Sequence, residues 1–494
     1  MELYPWIKEL AKKNTVTDRP YFNHSVRMKS SATPRERMLA LEKAGLNVFN
    51  YPSQMVTGCD LLSDSGTTTM TATQWAVLML GDEAYGSNEG YFKLADVIKG
   101  IFGSQFFNTR SPNINNAFLF HQGRAAENAL FSILGKEGDN LVIPSNGHFD
   151  TTRANIEANS IFANSFLLPD LKDPDSEEQF TGNMYLKKFD EFLGKQNTNV
   201  PLIFLTITNN TGGGQPVSMK NIKDVHDISR AYNIPLFFDA CRFAENAWFI
   251  KNYENGYGDR RIEEIIREMF SYVDGFTISF KKDGLSNIGG GLFLKEDGLF
   301  MKKYPHIPDK LLDYQIRTEG HPTYGGMSGR DIMALTEGLK TIVQEEYLDY
   351  RIKQVENFGL AMVGWGLPVL VPFGGHAVYL DMNRFFADTK LNASDFGGIS
   401  FTALLLAVFG HRACELGNFA FGTFDKKTGK ETFPEMNFVR FAVPRLRYER
   451  QDLESVAEAV KILYEHRHEI PGVDVVHGKE KTLRHFKARF KFKT

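Results

Sequence analysis

Two adjacent lysines, Lys281 and Lys282, stand just past a β-prone run, Asp274-Gly275-Phe276-Thr277-Ile278, and a hydroxyl, Ser279. Well before them, a second apolar run, Ile234-Pro235-Leu236-Phe237-Phe238, ends in Asp239. An acid at the end of one buried strand and a primary amine just past the next suit pyridoxal phosphate chemistry. The amine condenses with the cofactor aldehyde, and the carboxylate keeps the pyridine nitrogen protonated so that the ring accepts electrons. Residue type alone leaves both lysines eligible, and a plain pair of surface lysines is the ordinary alternative. A lysine out of water beside a second cation has a lowered pKa, which favours condensation.

Ligands of open α/β sheets gather at the carboxyl ends of strands, so other strand-end residues are read with this pair. Arg242, in Asp239-Ala240-Cys241-Arg242, would stabilise the cofactor's phenolic oxygen, and Asn210, before Gly212-Gly213-Gly214, could donate to the same atom. His121-Gln122-Gly123-Arg124 leads from an apolar run into a helical one. A glycine at a helix start lets backbone amides face an anion, with Arg124 nearby. Ser279 is a further phosphate donor, and Phe149 a ring to stack on the pyridine. Singly, each has an ordinary reading: an N-cap aspartate, a turn asparagine, a helix start, a core aromatic. Together they describe a site.

Continuous apolar runs must position these groups. They are 140–143, 202–207, 234–238, 275–279 and 291–294, and such runs predict strands buried on both faces of a mostly parallel sheet. Amphipathic stretches, Met219 to Tyr232 and Ile262 to Phe270, supply crossover helices. Pro34 to Glu42 is helix-capable. A long helical pattern, Asp331 to Phe358, precedes strand-like pieces at Val369 to Val371, His376 to Leu380 and Phe438 to Val443. The expected division is an N-terminal arm with part of the small domain (1–60), a large cofactor-binding domain (61–335) and a smaller C-terminal α+β domain (336–494). A net charge of −3 argues against a dedicated nucleic-acid binder. Three scattered cysteines form neither a disulfide framework nor a metal spacing. No apolar run reaches about 18 residues, and Met1 to Lys13 carries charges where a signal peptide would be apolar. A soluble, cytoplasmic protein is expected. The tail from Lys479 to Lys493 is basic but interleaved with Leu483, Phe486, Phe490 and Phe492, so it is either a solvated charge run or a docked segment.

The motifs His121-Gln122-Gly123-Arg124, Gly214-Gln215-Pro216-Val217-Ser218-Met219, Asp239-Ala240-Cys241-Arg242, Glu245-Asn246-Ala247 and Ser279-Phe280-Lys281-Lys282-Asp283 resemble the β-eliminating lyases, tryptophanase and tyrosine phenol-lyase. The likeness runs from about Gly45 to Phe490. It implies the fold-type-I pyridoxal phosphate architecture, usually a homotetramer. By the same resemblance Lys282 carries the cofactor and Asp239 faces the pyridinium. Arg242 and Asn210 lie at the phenolic oxygen, Gln122, Gly123, Arg124 and Ser279 hold phosphate, and Phe149 stacks on the ring. Arg440 would clamp the substrate α-carboxylate, fixing the Cα–H bond perpendicular to the cofactor plane. Tyr85 is linked to proton transfer to the leaving group, Phe49 belongs to the substrate pocket, and Gly66, Glu83 and Asn287 match a potassium site.

Two positions depart from the family pattern. Ser63 replaces a carboxylate-binding threonine and keeps the hydroxyl, while Phe280 replaces a small residue before the lysine pair. Three positions bear on the substrate. Asp150 and His485 are as in tryptophanase, where the phenol-lyase has threonine and phenylalanine, and Leu416 stands where the phenol-lyase carries an arginine for the phenol hydroxyl. All three point to indole. His321 stands where both relatives have an apolar residue, and near the leaving group it would favour something more polar. The resemblance thus implies α,β-elimination of an L-amino acid, most consistently L-tryptophan to indole, pyruvate and ammonia. L-Tyrosine, cysteine or another β-substituted amino acid is the alternative, with aminotransfer or a catalytically silent binding protein further off. Extra residues relative to the family fall between Tyr85 and Gln122 and around Leu171 to Thr181.

Overall fold

The computed structural model describes residues 19–22, 27–108, 115–169, 178–195 and 199–493. The charged stretch Met1 to Lys13 lies outside them, as do 109–114 and 170–177 of the two extra segments.

Five strands form the central sheet: β1 (Ala117–Phe120), β4 (Ile203–Thr206), β5 (Leu236–Asp239), β6 (Gly275–Ser279) and β7 (Gly290–Leu294), in the order β1-β7-β6-β5-β4. β4, β5 and β6 are parallel, and β7 is antiparallel to both its neighbours, so four of the five point the same way. β2 (Val142–Ser145) and β3 (Phe162–Ser165) form a separate parallel pair. Every residue of β4, β5 and β6 is buried, which is why their sequences read as unbroken apolar runs. The β5–β6 register opposes Phe237 to Gly275 and Asp239 to Thr277. A Cβ at Gly275 would lie 2.5 Å from the Phe237 ring, so this close approach requires glycine.

Helices at Met219–Ala231 and Ile262–Ser271 cover the sheet as their amphipathic spacing predicts. The chain after Tyr85 forms the helix Glu89–Phe102, capped by Asn88, whose side chain accepts from the Tyr91 N–H at 2.9 Å. Its last residue, Phe102, packs 4.5 Å from Phe270 and 4.9 Å from Phe276, ring to ring. Phe276 stacks on Phe293 at 4.9 Å, and buried Phe280 adds its edge to Phe293. The large residue before the lysines is thus absorbed by an aromatic core.

The pattern from Asp331 to Phe358 is two helices, Gly329–Ile342 and Glu345–Gly364, broken where Gln344 turns extended. β8 (Ala377–Asp381), β9 (Cys414–Leu416) and β12 (Phe438–Ala442) make a second, antiparallel sheet in the order β8-β12-β9, and β10 (Thr423–Phe424) and β11 (Glu431–Thr432) form a small hairpin. Val369 to Val371 contributes one isolated bridge to Leu380, not a strand. The basic tail is docked: β14 (Arg489–Phe492) pairs with β13 (Val473–His477), and Arg484, His485 and Phe490 are buried. Leu41, Leu46, Val48 and Tyr51, from the helix Pro34–Lys43 and the chain after it, share a core with Phe396, Ile399 and Phe490. Among the described residues no helix is long and apolar enough to cross a membrane.

A buried charge cluster ties the two sheets together. Arg445, past β12, donates to Asp64 at 3.0 Å, Glu245 at 2.7 Å and Asp283 at 2.8 Å. Arg242 forks onto Asp64 at 3.0 and 2.8 Å, and Arg351 reaches Glu245 at 3.1 Å. Burial alone would raise Asp64, yet Arg242, and with it Arg445, hold it well below the usual carboxylate range. Burial and neighbouring Glu245 push Asp283 up to about 7. Removing one member of such a cluster leaves uncompensated buried charge. Arg445→Met therefore costs about 3–5 kcal/mol of stability by equilibrium denaturation, and a loss below about 1 kcal/mol would show that the cluster does not hold the halves together.

Candidate active site

The carboxyl ends of β4, β5 and β6 open on a cavity of about 280 Å³, closed on the other side by β9, β12 and the docked tail. Asp239 is the last residue of β5 and Ser279 the last of β6, and both line it with Lys281 and Lys282. Gln122, Gly123 and Arg124 enter at the start of the helix Gly123–Leu134. No side chain caps that helix, and its first amides lack intrahelical partners. A Cβ at Gly123 would lie 2.6 Å from that of Ser279, so glycine lets the helix start press against the end of β6. Phe149, just before the helix Asp150–Ala158, contributes its ring, and Asn210 and Arg242 complete this wall.

The opposite wall comes from elsewhere in the chain. Arg440 of β12 donates to Asn210 Oδ1 and to the Leu62 carbonyl, each at 3.0 Å, and its Nε is buried without a partner. Ser63, Phe49 and Leu416 line the cavity beside it. His485 Nε2 lies 3.1 Å from Asp150 Oδ2, both side chains buried. Phe49 and Phe486 pack on the imidazole at 5.6 and 4.2 Å between ring centres.

Two residues expected at the substrate, Tyr85 and His321, are not brought to this cavity by a single chain. Tyr85 is 75% exposed, in the turn between the helices Ala72–Leu80 and Glu89–Phe102. His321 is with it instead of beside the leaving-group pocket, its ring edge-on to Tyr85 at 5.8 Å and its Nδ1 2.8 Å from Thr323 Oγ1. The reason is local: His321 follows the helix Ile307–Glu319 into a turn packed on Gly86. Of the expected cation ligands, Gly66 and Asn287 meet, but through an Asn287 N–H donated to the Gly66 carbonyl at 3.0 Å. Glu83 pairs instead with Arg330 at 2.5 Å. Among the described residues no three or more His, Cys, Asp or Glu side chains cluster as metal ligands.

Several cavity residues escaped the sequence reading. Glu127 is one, accepting from Thr152 Oγ1 at 2.8 Å. The signal was its spacing, four residues after Gly123 on the same helical face. Burial, then the charge of Asp239, pushes its carboxyl up to about 8. Burial lowers Lys281, helped by Lys282 and Arg124. The cavity thus sets cations and free helix amides against the Asp239 carboxylate and its Glu127 neighbour, and a group with a phosphate at one side and a protonated ring nitrogen at the other fits it. Because the folded state keeps Glu127 protonated above the ordinary range near 4.5, its effect on stability has a definite sign. The unfolded chain ionises it first, so the folded apoprotein loses relative stability as pH rises from about 4.5 to about 8. Glu127→Gln should flatten the fall in thermal midpoint over that window, and a variant curve parallel to wild type would contradict the assignment.

A family model for the beta-eliminating lyases matches residues 60–459. A tryptophanase of Salinibacter ruber is 40% identical over 462 residues, covering 94% of this chain and 92% of its own. A probable beta-eliminating lyase of Trichomonas vaginalis is 39% identical over 92% of this chain and 94% of its own. A tyrosine phenol-lyase of Lacrimispora saccharolytica is 38% identical over 92% of each. Among solved structures, serine palmitoyltransferase of S. paucimobilis superposes with a TM-score of 0.55 at 10% identity, over 84% of this chain and 88% of that one. Threonine aldolase of Leishmania major gives 0.53 at 14%, over 82% and 99%. At such identities these two speak to fold alone, and the fold is that of the fold-type-I pyridoxal phosphate enzymes. On the family match and the length shared with its relatives, the chain belongs to the β-eliminating lyases, pyridoxal phosphate-dependent enzymes.

Proposed function

We propose that the enzyme cleaves L-tryptophan by α,β-elimination to indole, pyruvate and ammonia. The observation that carries this reading is the buried Asp150–His485 pair at 3.1 Å, in a wall it shares with Phe49, Phe486 and Leu416. An apolar aromatic slot with one acid–base pair suits indole, and Leu416 offers a phenolate no charged donor.

Bound pyridoxal phosphate supplies an electron sink for the bonds at Cα. The free amides of Gly123 and Arg124, with Gln122, the Arg124 guanidinium and Ser279, would hold its phosphate, Phe149 would stack on its ring, and Asp239 would face its nitrogen. Arg242 and Asn210 would face the phenolic oxygen. Lys282 is the amine proposed to hold the cofactor and then take the α-proton at Nζ. Its charge acts on Glu127 and Cys241, whereas Lys281 lies along Gly66, where an added Cβ would sit 2.7 Å from Lys281 Cε. Arg440 and the Ser63 hydroxyl would hold the substrate carboxylate. Asp150 and His485 would deliver a proton to the departing ring carbon, and the enclosing rings exclude water from that step.

Tyr85 enters this scheme through a second copy. Trp75, Met79 and Leu80 of the helix Ala72–Leu80 expose 54%, 79% and 71% of their surface, an apolar face adjoining Tyr85. We propose a homo-oligomer, a tetramer by resemblance, in which this face is covered and Tyr85 reaches a neighbour's cavity. Glu83, two residues away, would then complete a potassium site with Gly66 and Asn287, since hard cations take oxygen ligands. No step above depends on that ion. Residues 61–335 would form the cofactor-binding domain, with 336–494 and the N-terminal arm over it. A reducing cytoplasm suits the three free cysteines.

A pyruvate-release assay across the L-amino acids, with and without potassium, tests the substrate. Tryptophan should exceed tyrosine by at least tenfold in kcat/KM, and the reverse order would overturn tryptophan as substrate. His485→Phe should cut kcat on tryptophan by about 100-fold or more while sparing S-alkyl cysteines, whose thiolate leaves without carbon protonation. Equal losses on both would rule out the proposed proton delivery. Random re-assembly of Tyr85→Phe with Lys282→Ala chains should restore roughly a quarter of wild-type turnover, because half the pairs are mixed and each holds one intact site. No recovery would place Tyr85 outside a shared site.

A further inference from the structure

Four buried side chains meet at one atom between the two sheets. Asn210 Oδ1 lies 3.0 Å from Arg440 Nη1, 2.9 Å from the Tyr379 hydroxyl and 2.8 Å from His376 Nε2. Exposure of all four residues is 5% or less. The Tyr379 hydroxyl also reaches the Asn210 backbone carbonyl at 3.0 Å. Guanidinium nitrogens only donate, so the amide atom facing Arg440 must be the oxygen. Turning the amide over would set an NH2 group against Arg440, the hydroxyl and the imidazole at once. Nδ2 is therefore left for the cavity that Asn210 lines, and it forms no hydrogen bond among the described residues.

The fold builds this convergence deliberately from both halves. Tyr379 of β8 is the cross-strand partner of Arg440 of β12, so the two side chains share a face of the second sheet. His376 stands just before β8, against Gly214 of the loop after β4. A Cβ at Gly214, whose φ is +74°, would lie 2.9 Å from the imidazole, so glycine there admits the ring. The Gly375 N–H donates to the Gly214 carbonyl at 3.3 Å, and Gln215 Nε2 to the Pro372 carbonyl at 2.6 Å, fixing one loop on the other. Burial, with Arg242, Arg440 and Arg445 nearby, keeps His376 neutral, and its Nδ1 is buried without a partner. The single ring proton then belongs on Nε2, pointing at Asn210.

We infer that His376 and Tyr379 are positioning residues that act through Asn210. They fix its amide so that Nδ2 is presented to the cavity, and through the shared oxygen they hold the Arg440 guanidinium in register with it. The inference rests on the reading in which Asn210 and Arg440 face cofactor and substrate. It adds that the second sheet sets a hydrogen-bond donor belonging to the first.

A double-mutant cycle on the holoenzyme tests this, with Tyr379→Phe, Asn210→Ala and both together. The Phe variant keeps the ring, whereas removing His376 would open a hole in the core. The readouts are the cofactor dissociation constant, KM and kcat separately, and the thermal midpoint. Tyr379→Phe in the wild-type background should weaken cofactor binding and raise KM about 3- to 10-fold, with the thermal midpoint lowered only as far as the weaker cofactor binding requires. In the Asn210→Ala background it should change neither constant. The same factor in both backgrounds, or no change in either, would overturn the inference, because independent sites add. Absence of a visible cofactor band in wild-type protein would bring down the functional reading and this inference together. A loaded wild-type enzyme with additive effects would overturn the inference alone.

Discussion

Arg445 sits among three buried carboxylates, Asp64, Glu245 and Asp283, each contributed by a different part of the chain. Such a cluster has little tolerance for displacement, since every partner that moves leaves a charge without water or counter-ion. Asp283 is the residue after Lys282, and Arg242, which forks onto Asp64, lines the cavity. The lysine and the arginine are thereby fixed to the same charges that fix Arg445, and Arg445 follows the strand carrying Arg440. One electrostatic constraint thus sets the distance between the two cavity walls.

On that frame the chemistry divides by wall. The first sheet offers what a phosphorylated, protonated aromatic cofactor needs: a helix start without a side-chain cap, cations, and an acid at a strand end. In the proposed reaction the second sheet and the tail would receive the amino acid substrate, with Arg440 for its carboxylate and a slot of rings with Asp150 and His485. Asn210 is where the two walls touch directly. The charge cluster sets their spacing, and the Asn210 contacts set the direction of individual donors.

Much of the fold was legible because burial leaves a mark in composition. β4, β5 and β6 are enclosed on both faces and so are written as unbroken apolar runs, and the residues at their ends fell at the cavity. The break between Ile342 and Glu345 was not legible, since no glycine or proline marks it. Val369 to Val371 looks like a strand but adds a single bridge, because β-branched residues also suit extended connections. The tail's aromatics signalled docking correctly, for Phe490 and His485 are buried. What sequence could not convey is which surfaces meet: Tyr85 and His321 carry the right chemistry but lie together outside the cavity of one chain. Glu127, His376 and Tyr379 were silent for the opposite reason, since a buried polar residue declares its role only through its partners.

In the proposed function Lys282, not its neighbour Lys281, holds the cofactor. Borohydride reduction of the loaded enzyme, followed by proteolysis and peptide mass mapping, reads this directly. A single pyridoxyl phosphate adduct on Lys282 is expected. An adduct on Lys281, or on neither lysine, would contradict it.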